Sequence, residues 1–281
     1  MAETLDARRR GVRRRRKPTT TYLFRVIAVG YLFMLVAWPV GLVAKNTFAD
    51  GFDALDAALS DPNTRNALWL TLKVAIIAVA INLVFGIGVS LLLVRYRFPG
   101  RRILSALIDL PLSVSPIVVG LALLLVYNPR NSWFGPSLSD HGIDVIFAQP
   151  GIVFATVFVS LPLVIREIVP VLEEIGIDQE QAARSLGANA WQTFWRITLP
   201  SIRWAVVYGV VLSLARSLGE FGAVKIVSGN IVGKTQTTTL VVEQKYQDFQ
   251  QSTAYAAAFL LASASVLCII VVAIIRPKEP T

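Results

Sequence analysis

Apolar residues gather along this chain into six long runs, separated by shorter polar segments that hold most of the charge, Gly and Pro. The first, residues 26–44, has no charged residue over 19 positions and as a helix measures about 29 Å, the thickness of a bilayer core. The second covers residues 68–94, with Lys73 near one end, where its ammonium can snorkel to the interface. The third, residues 103–126, is interrupted by Asp109, Pro111 and Pro116. Those prolines, with Ser113 and Ser115 between them, either break the helix and turn backbone groups toward a pore or only kink it. The fourth lies within residues 143–165, and Pro150 and Gly151 blur its start. The fifth runs over 204–218 and extends toward Ile226, with Arg216 and Glu220 inside it; the sixth, 256–275, is free of charge throughout. The pattern predicts an all-α polytopic membrane protein with six transmembrane helices and both ends of the chain on one side.

Composition agrees. Only 16% of the 281 residues are charged, against about 25% in an ordinary soluble domain. Net charge is +9, but the basic residues stand beside the apolar runs rather than on a soluble face, so nucleic acid is not the expected partner. With six crossings and an inner N-terminus, nineteen Lys and Arg fall on the inner side and seven on the outer. That bias sets a multi-pass topology with both termini cytoplasmic. Arg8, Arg9, Arg10, Arg13, Arg14, Arg15, Arg16 and Lys17 make the N-terminal arm a lipid-facing anchor. The chain divides into this arm (1–21), the first span with its outer loop (22–64), the main membrane domain (65–275) and a cytoplasmic tail (276–281). The first run is not read as a cleaved signal, because Trp38-Pro39 interrupts its end and no A-x-A site follows. One cysteine, Cys268, and one histidine, His141, exclude an intrachain disulfide and leave no metal-ligand cluster.

The segment 167–203 carries the chemistry of interest. Asp178 followed by Gln181 fits a capping box, so a helix is expected to begin after Asp178 and run to Leu186, ended by Gly187 in a left-handed conformation. A second short helix should run from Asn189 or Ala190 to Arg196, with Pro200 opening the fifth span. Ala182, Ala183 and Ser185 allow another surface to approach closely. Trp191, Phe194 and Trp195 add apolar area that packs on the bundle, in the lipid interface or against a partner.

Gln181-Ala182-Ala183, three residues, Gly187, nine residues, then Ile197-Thr198-Leu199-Pro200 resembles the E-A-A-x3-G-x9-I-x-L-P motif of permease subunits in ATP-driven importers. The resemblance implies a type I ABC importer permease fold, and a short cytoplasmic helix that seats in a cleft on a separate ATPase. Gln181 stands where the family has glutamate; Glu180, one place earlier, faces another direction on a helix. Ala215-Arg216-Ser217-Leu218-Gly219-Glu220-Phe221-Gly222-Ala223-Val224, with Val227-Ser228-Gly229-Asn230, is similar to the fifth family helix of sulfate and molybdate importers. Glu173-Glu174-Ile175-Gly176 and Gln192-Thr193-Phe194-Trp195-Arg196 look like sulfate/thiosulfate permeases, and residues 222–235 like their W-type subunit.

What that resemblance implies is a non-catalytic subunit with no cofactor of its own. ATP and Mg2+ are held by two copies of a partner ATPase, the pore is shared with a second, T-type permease, and an external sulfate-binding protein delivers the anion. The same machine for molybdate, or the T-type permease itself, is the alternative. A membrane enzyme is disfavoured because no nucleophile–base set lies at one depth, whereas a passive channel or secondary carrier fits hydropathy alone. Gly233-Lys234-Thr235 has the ending of a phosphate loop without its preceding glycines, so nucleotide binding there is discarded. Asp109, Arg216 and Glu220 are charges at membrane depth. Arg216 and Glu220, four apart, pair on one helical turn either to fix packing or to tune an anion route.

Overall fold

Every regular element among the residues described by the computed structural model, 18–49 and 51–275, is helical. The basic cluster at 8–17 and the tail at 276–281 lie outside the described residues. The chain separates into two units, residues 1–46 and 47–281. In the first, α1 (Pro18–Leu32) passes through a π-helical turn, Phe33–Ala37, into α2 (Trp38–Thr47). Trp38 N–H bonds Phe33 O, five residues back and one residue ahead of Pro39. Pro39 has no N–H and its ring crowds the carbonyl four residues earlier, so the wide turn absorbs a residue that would otherwise break the helix. The expected interruption at Trp38-Pro39 is therefore a widening, and the apolar helix continues over Tyr22–Thr47.

In the second unit α3 (Asp53–Ser60) leads into α4 (Pro62–Arg95). Asp61 caps α4, accepting from Asn63 N–H at 3.1 Å and from the Thr64 hydroxyl at 2.9 Å, with Lys245 Nζ at 3.3 Å. Burial alone pushes the Asp61 carboxyl up; those hydrogen bonds and Lys245 outweigh it and hold it below the usual carboxylate range. With 34 residues, about 51 Å, α4 is longer than a bilayer core and projects from it.

The third apolar run is not one straight helix. α5 (Arg101–Ser113) and α6 (Pro116–Tyr127) meet at a 113° bend. Pro116 drives Ser115 into extended backbone (ψ 134°) and removes a helical donor, which is why the break falls there. Pro111 sits inside α5 without ending it. After α7 (Gly135–Asp140), α8 (Gln149–Ile175) takes Pro150 in its first turn, where a missing N–H costs nothing. It continues to Ile175, so Arg166, Glu167, Glu173 and Glu174 are helical rather than part of a loop. The remaining elements are α9 (Asp178–Ser185), α10 (Ala190–Thr193), a second π-helical turn (Phe194–Thr198), α11 (Leu199–Leu218), α12 (Gly222–Ser228), α13 (Thr238–Gln247) and α14 (Gln251–Ile275). The fifth span stops at Leu218 and does not run on to Ile226, because Gly219, Glu220 and Phe221 break it before α12.

α8 is the axis of this unit, packed between α4 and α11. Lys73 meets Gln149, Asn82 meets Ser160, and Arg95 meets the Leu172 carbonyl, so α4 and α8 run parallel. Parallel neighbours require the chain between them to return across the bundle, and the bent α5–α6 pair makes that return. Five helices are long and apolar enough to span alone among the described residues, and the bent pair makes six when counted as one broken span. Two apolar clusters fill the interior. Leu70, Val74, Ile152, Val159, Val224 and Leu240 belong to the one at the Gln149 end; Val164, Ile168, Leu172, Ile202 and Ala205 form the one at the Arg95 end.

Candidate functional site

At the Arg95 end the chain leaves α8 through Gly176, whose φ of +69° ends the helix, and enters α9. The expected capping box at Asp178 does not form. α9 starts one residue sooner, with Ile177 as its cap and Asp178 already in the first turn, where its charge faces the helix's positive end. At the other end Gly187, with φ +89°, closes a Schellman turn: Ala188 N–H bonds Ala183 O at 3.0 Å and Gly187 N–H bonds Arg184 O at 2.9 Å. The capping box lies instead at Asn189, whose side chain accepts from Gln192 N–H while Gln192 accepts from Asn189 N–H.

From Ala190 the helix does not stop at Arg196. It passes through the π turn into α11, with Leu199 N–H reaching Phe194 O one residue before Pro200, the device already seen at Pro39. Pro200 therefore lies within a single 29-residue helix, Ala190–Leu218, and does not open a new one. α10, the π turn and α11 thus form one continuous helix to Leu218, while α9 is set between two glycine-ended turns.

The motif residues divide by exposure. Gln181, Ala182, Gly187 and Pro200 are exposed and Ala183 is half-buried, whereas Ile197 and Leu199 turn inward, Leu199 onto the Val164–Ile202 cluster. Leu186 (90% exposed), Trp191 (70%) and Trp195 (49%) join the exposed side, the two indoles edge to face at 5.4 Å. An apolar patch of this size fits a surface that meets lipid or another protein. The sequence reading names Leu186 only as the end of the helix; Gly187 signals the turn, and nothing local signals that the leucine before it stays exposed.

Glu180 does point away from the exposed face, as its helical position requires, but into a clamp. Its Oε1 accepts from Arg95 Nε at 3.2 Å, Arg95 Nη2 at 3.0 Å and the Thr198 hydroxyl at 3.0 Å, and Arg95 Nη1 also donates to Leu172 O at 3.1 Å. One carboxylate thereby ties α9 to the end of α4, to α8 and to the π turn.

The three membrane-depth charges are not brought together. Asp109 on α5 accepts from Arg166 Nε on α8 at 3.0 Å, a half-exposed pair. Arg216 meets Glu220 at 2.7 Å, but Glu220 lies past the helix end, buried, and its other oxygen accepts from Ala223 N–H at 3.1 Å. That pair therefore bolts α11 to α12. Gly209 stands against Val164, and α11 runs antiparallel to α8, which puts Arg216 about nine residues, roughly 13 Å, along α8 from Arg166. No group of three or more His, Cys, Asp or Glu suited to a metal occurs among the described residues.

A family model for the inner membrane component of binding-protein-dependent transport systems matches residues 82–279. The chain belongs to that family. The Synechococcus elongatus sulfate transport system permease protein CysW is 47% identical over 252 residues, covering 90% of this chain and 88% of that protein. The Escherichia coli CysW is 43% identical over 245 residues, and the Escherichia coli CysT 42% over 209, 74% of this chain. A chain of a bacterial ABC transporter for the acidic polysaccharide alginate superposes with a TM-score of 0.76, over 91% of this chain and 94% of that one, at 16% identity. This family member has the ABC importer permease fold, is multi-pass in the inner membrane, and is a transport subunit, not an enzyme. Within the permease, the exposed segment between α8 and α11 is the one that carries the E-A-A-like motif.

Proposed function

We propose that this permease is the W-type half of a sulfate/thiosulfate importer, and that its α9–α10 segment is gripped by a separate ATPase. The observation that carries the substrate is the match to CysW, which extends over 90% of this chain where the match to CysT extends over 74%. What supports the coupling role is the exposed patch of Ala182, Leu186, Gly187, Trp191 and Trp195 at one end of a rigid rod that runs the depth of the bundle. In this reading the Arg95 end faces the cytoplasm, as do both termini. Two ATPase copies close on ATP and Mg2+, one gripping this patch and the other its counterpart on a T-type permease. Their closure moves α10 and with it α11, opening the shared path outward to an external sulfate-binding protein. The membrane subunit exchanges two packed states and performs no covalent step.

The test is uptake of radiolabelled sulfate by proteoliposomes holding both permeases and the ATPase. Uptake should require internal ATP and external binding protein together, and unlabelled thiosulfate should compete. Transport of molybdate with no response to sulfate would overturn the substrate.

A further inference from the structure

At the end of the bundle opposite the coupling segment a cleft of about 200 Å³ opens between the start of α8, the outer part of α4 and the loop before α13. It has room for about six waters at ~30 Å³ each, enough for a small anion with part of its hydration shell. Its lining is polar and basic: Lys73, Lys234, Asn66, Gln149 and Gln236, with Trp69 at the side and no carboxylate. Of the other cations on this side, Lys225 is paired with Glu243 and Lys245 with Asp61, whereas Arg65, exposed beside Asn66, has no ion pair among the described residues and does not line the cleft. Lys73 and Lys234 have no acidic partner among the described residues.

The wall is built, not incidental. Gln236 is 2% exposed and locked at both ends, its oxygen accepting from Asn63 Nδ2 at 2.8 Å and its nitrogen donating to Gln244. Lys73 Nζ donates to Gln149 Oε1 at 2.9 Å, which fixes the ammonium at the rim and leaves the Gln149 amide nitrogen as a donor. Gln149 is also the first residue of α8, so the positive end of a 27-residue helix stands beside the lysines. Lys73 closes the outer end of an uncharged run, 74–94, and so sits where α4 enters the apolar layer.

We infer that this cleft is an outer reception site for a tetrahedral oxyanion, in which the ammoniums of Lys73 and Lys234 and the amides of Asn66 and Gln149 hold the anion as it leaves the external binding protein. The inference rests on the importer reading, and for a sulfate importer the anion is sulfate. Two ammoniums balance a dianion, and hydrogen-bond donors outnumber acceptors around it, so a neutral or cationic solute gains nothing there. The cleft and the coupling segment occupy opposite ends of α8, about 40 Å apart.

The experiment uses the full importer in proteoliposomes, with Lys73→Gln, Lys234→Gln, the double change and Lys73→Arg. Maximal sulfate uptake should fall about tenfold in each Gln variant, the loss of one charge-assisted hydrogen bond, and further in the double variant, while Lys73→Arg retains it. The concentration of loaded binding protein giving half-maximal uptake should not move. Unchanged maximal uptake in the double variant overturns the site. A shift in that half-maximal concentration, with uptake restored at excess, would make the cleft a docking contact for the delivery protein and also overturn it. A loss that tracks reduced thermal stability on lipid removal, at unaltered uptake per assembled complex, would make the occupant a lipid phosphate. If the wild-type importer moves a different oxyanion and not sulfate, the substrate assignment fails by itself, and the same variants measured with that anion judge the cleft.

Discussion

Glu180 and Arg95 are 9% and 11% exposed at their side chains, and each would be a buried, unmatched charge without the other. Removing one member of such a pair costs about 3 kcal/mol, because the survivor keeps its desolvation penalty without its partner. Arg95→Gln should therefore loosen α9 from α4 and α8 while leaving the patch of Leu186 and Trp191 intact. We expect sulfate imported per ATP hydrolysed to fall at least tenfold in assembled complexes, and Arg95→Glu with Glu180→Arg to recover part of it. An unaltered ratio in Arg95→Gln would show that the clamp does not transmit motion. Helical geometry alone shows that Glu180 points away from the docking side. Nothing local discloses what it points to, since Arg95 is 85 residues distant and looks like an ordinary basic residue closing a span.

Among the elements, the fourth hydrophobic run, whose start Pro150 and Gly151 blur in sequence, is the most enclosed of the long helices in the fold. α8 buries Ser160, which accepts from Asn82 of α4 at 2.8 Å and from Ser217 of α11 at 3.3 Å, so a polar atom in this helix serves as an interhelical hydrogen-bond partner, while the buried Thr156 hydroxyl bonds Ile152 O within the helix. Helix backbones must come close for this. A Cβ on Gly86 would stand 2.7 Å from Val164 Cγ1, and one on Gly209 would stand 3.0 Å from Val164 Cα. Gly209→Leu should therefore separate α11 from α8 and lower the melting temperature of the purified protein markedly, overpacking of this kind costing about 1–3 kcal/mol. Gly88→Leu is the control, since a Cβ there meets nothing within 4 Å. Equal melting temperatures for the two variants would refute tight α8–α11 contact. The bend between α5 and α6 was legible because Pro116 acts on its immediate neighbour. The path of the helix through Pro39 and Pro200 was not, because a π turn is a choice made several residues earlier, with no residue type that announces it.

For the whole molecule, the arrangement turns on which side of the membrane the Arg95 end occupies. Hydropathy counts spans but leaves a bent pair ambiguous, and a miscount would invert everything after it. The parallel course of α4 and α8 removes that ambiguity: Leu186 must emerge on the same side as Arg95. The loop before α8 emerges opposite, with Tyr127 packed on Phe154 in the first turns of α8. In the proposed topology that side is the cytoplasm. Leu186, Trp133 and Phe249 are 90%, 85% and 87% exposed, so a cysteine at any of them is open to reagent. In a Cys268→Ser background, which removes the lone native thiol, a membrane-impermeant maleimide should label Trp133→Cys and Phe249→Cys in spheroplasts and Leu186→Cys only in inverted vesicles. Labelling of Leu186→Cys from outside would place the motif where no ATP-driven partner can reach it, and the coupling role would fall with it. Protection of Leu186→Cys in inverted vesicles by added ATPase subunit would complete the assignment, because only a bound partner covers a residue that its own bundle leaves nine-tenths exposed.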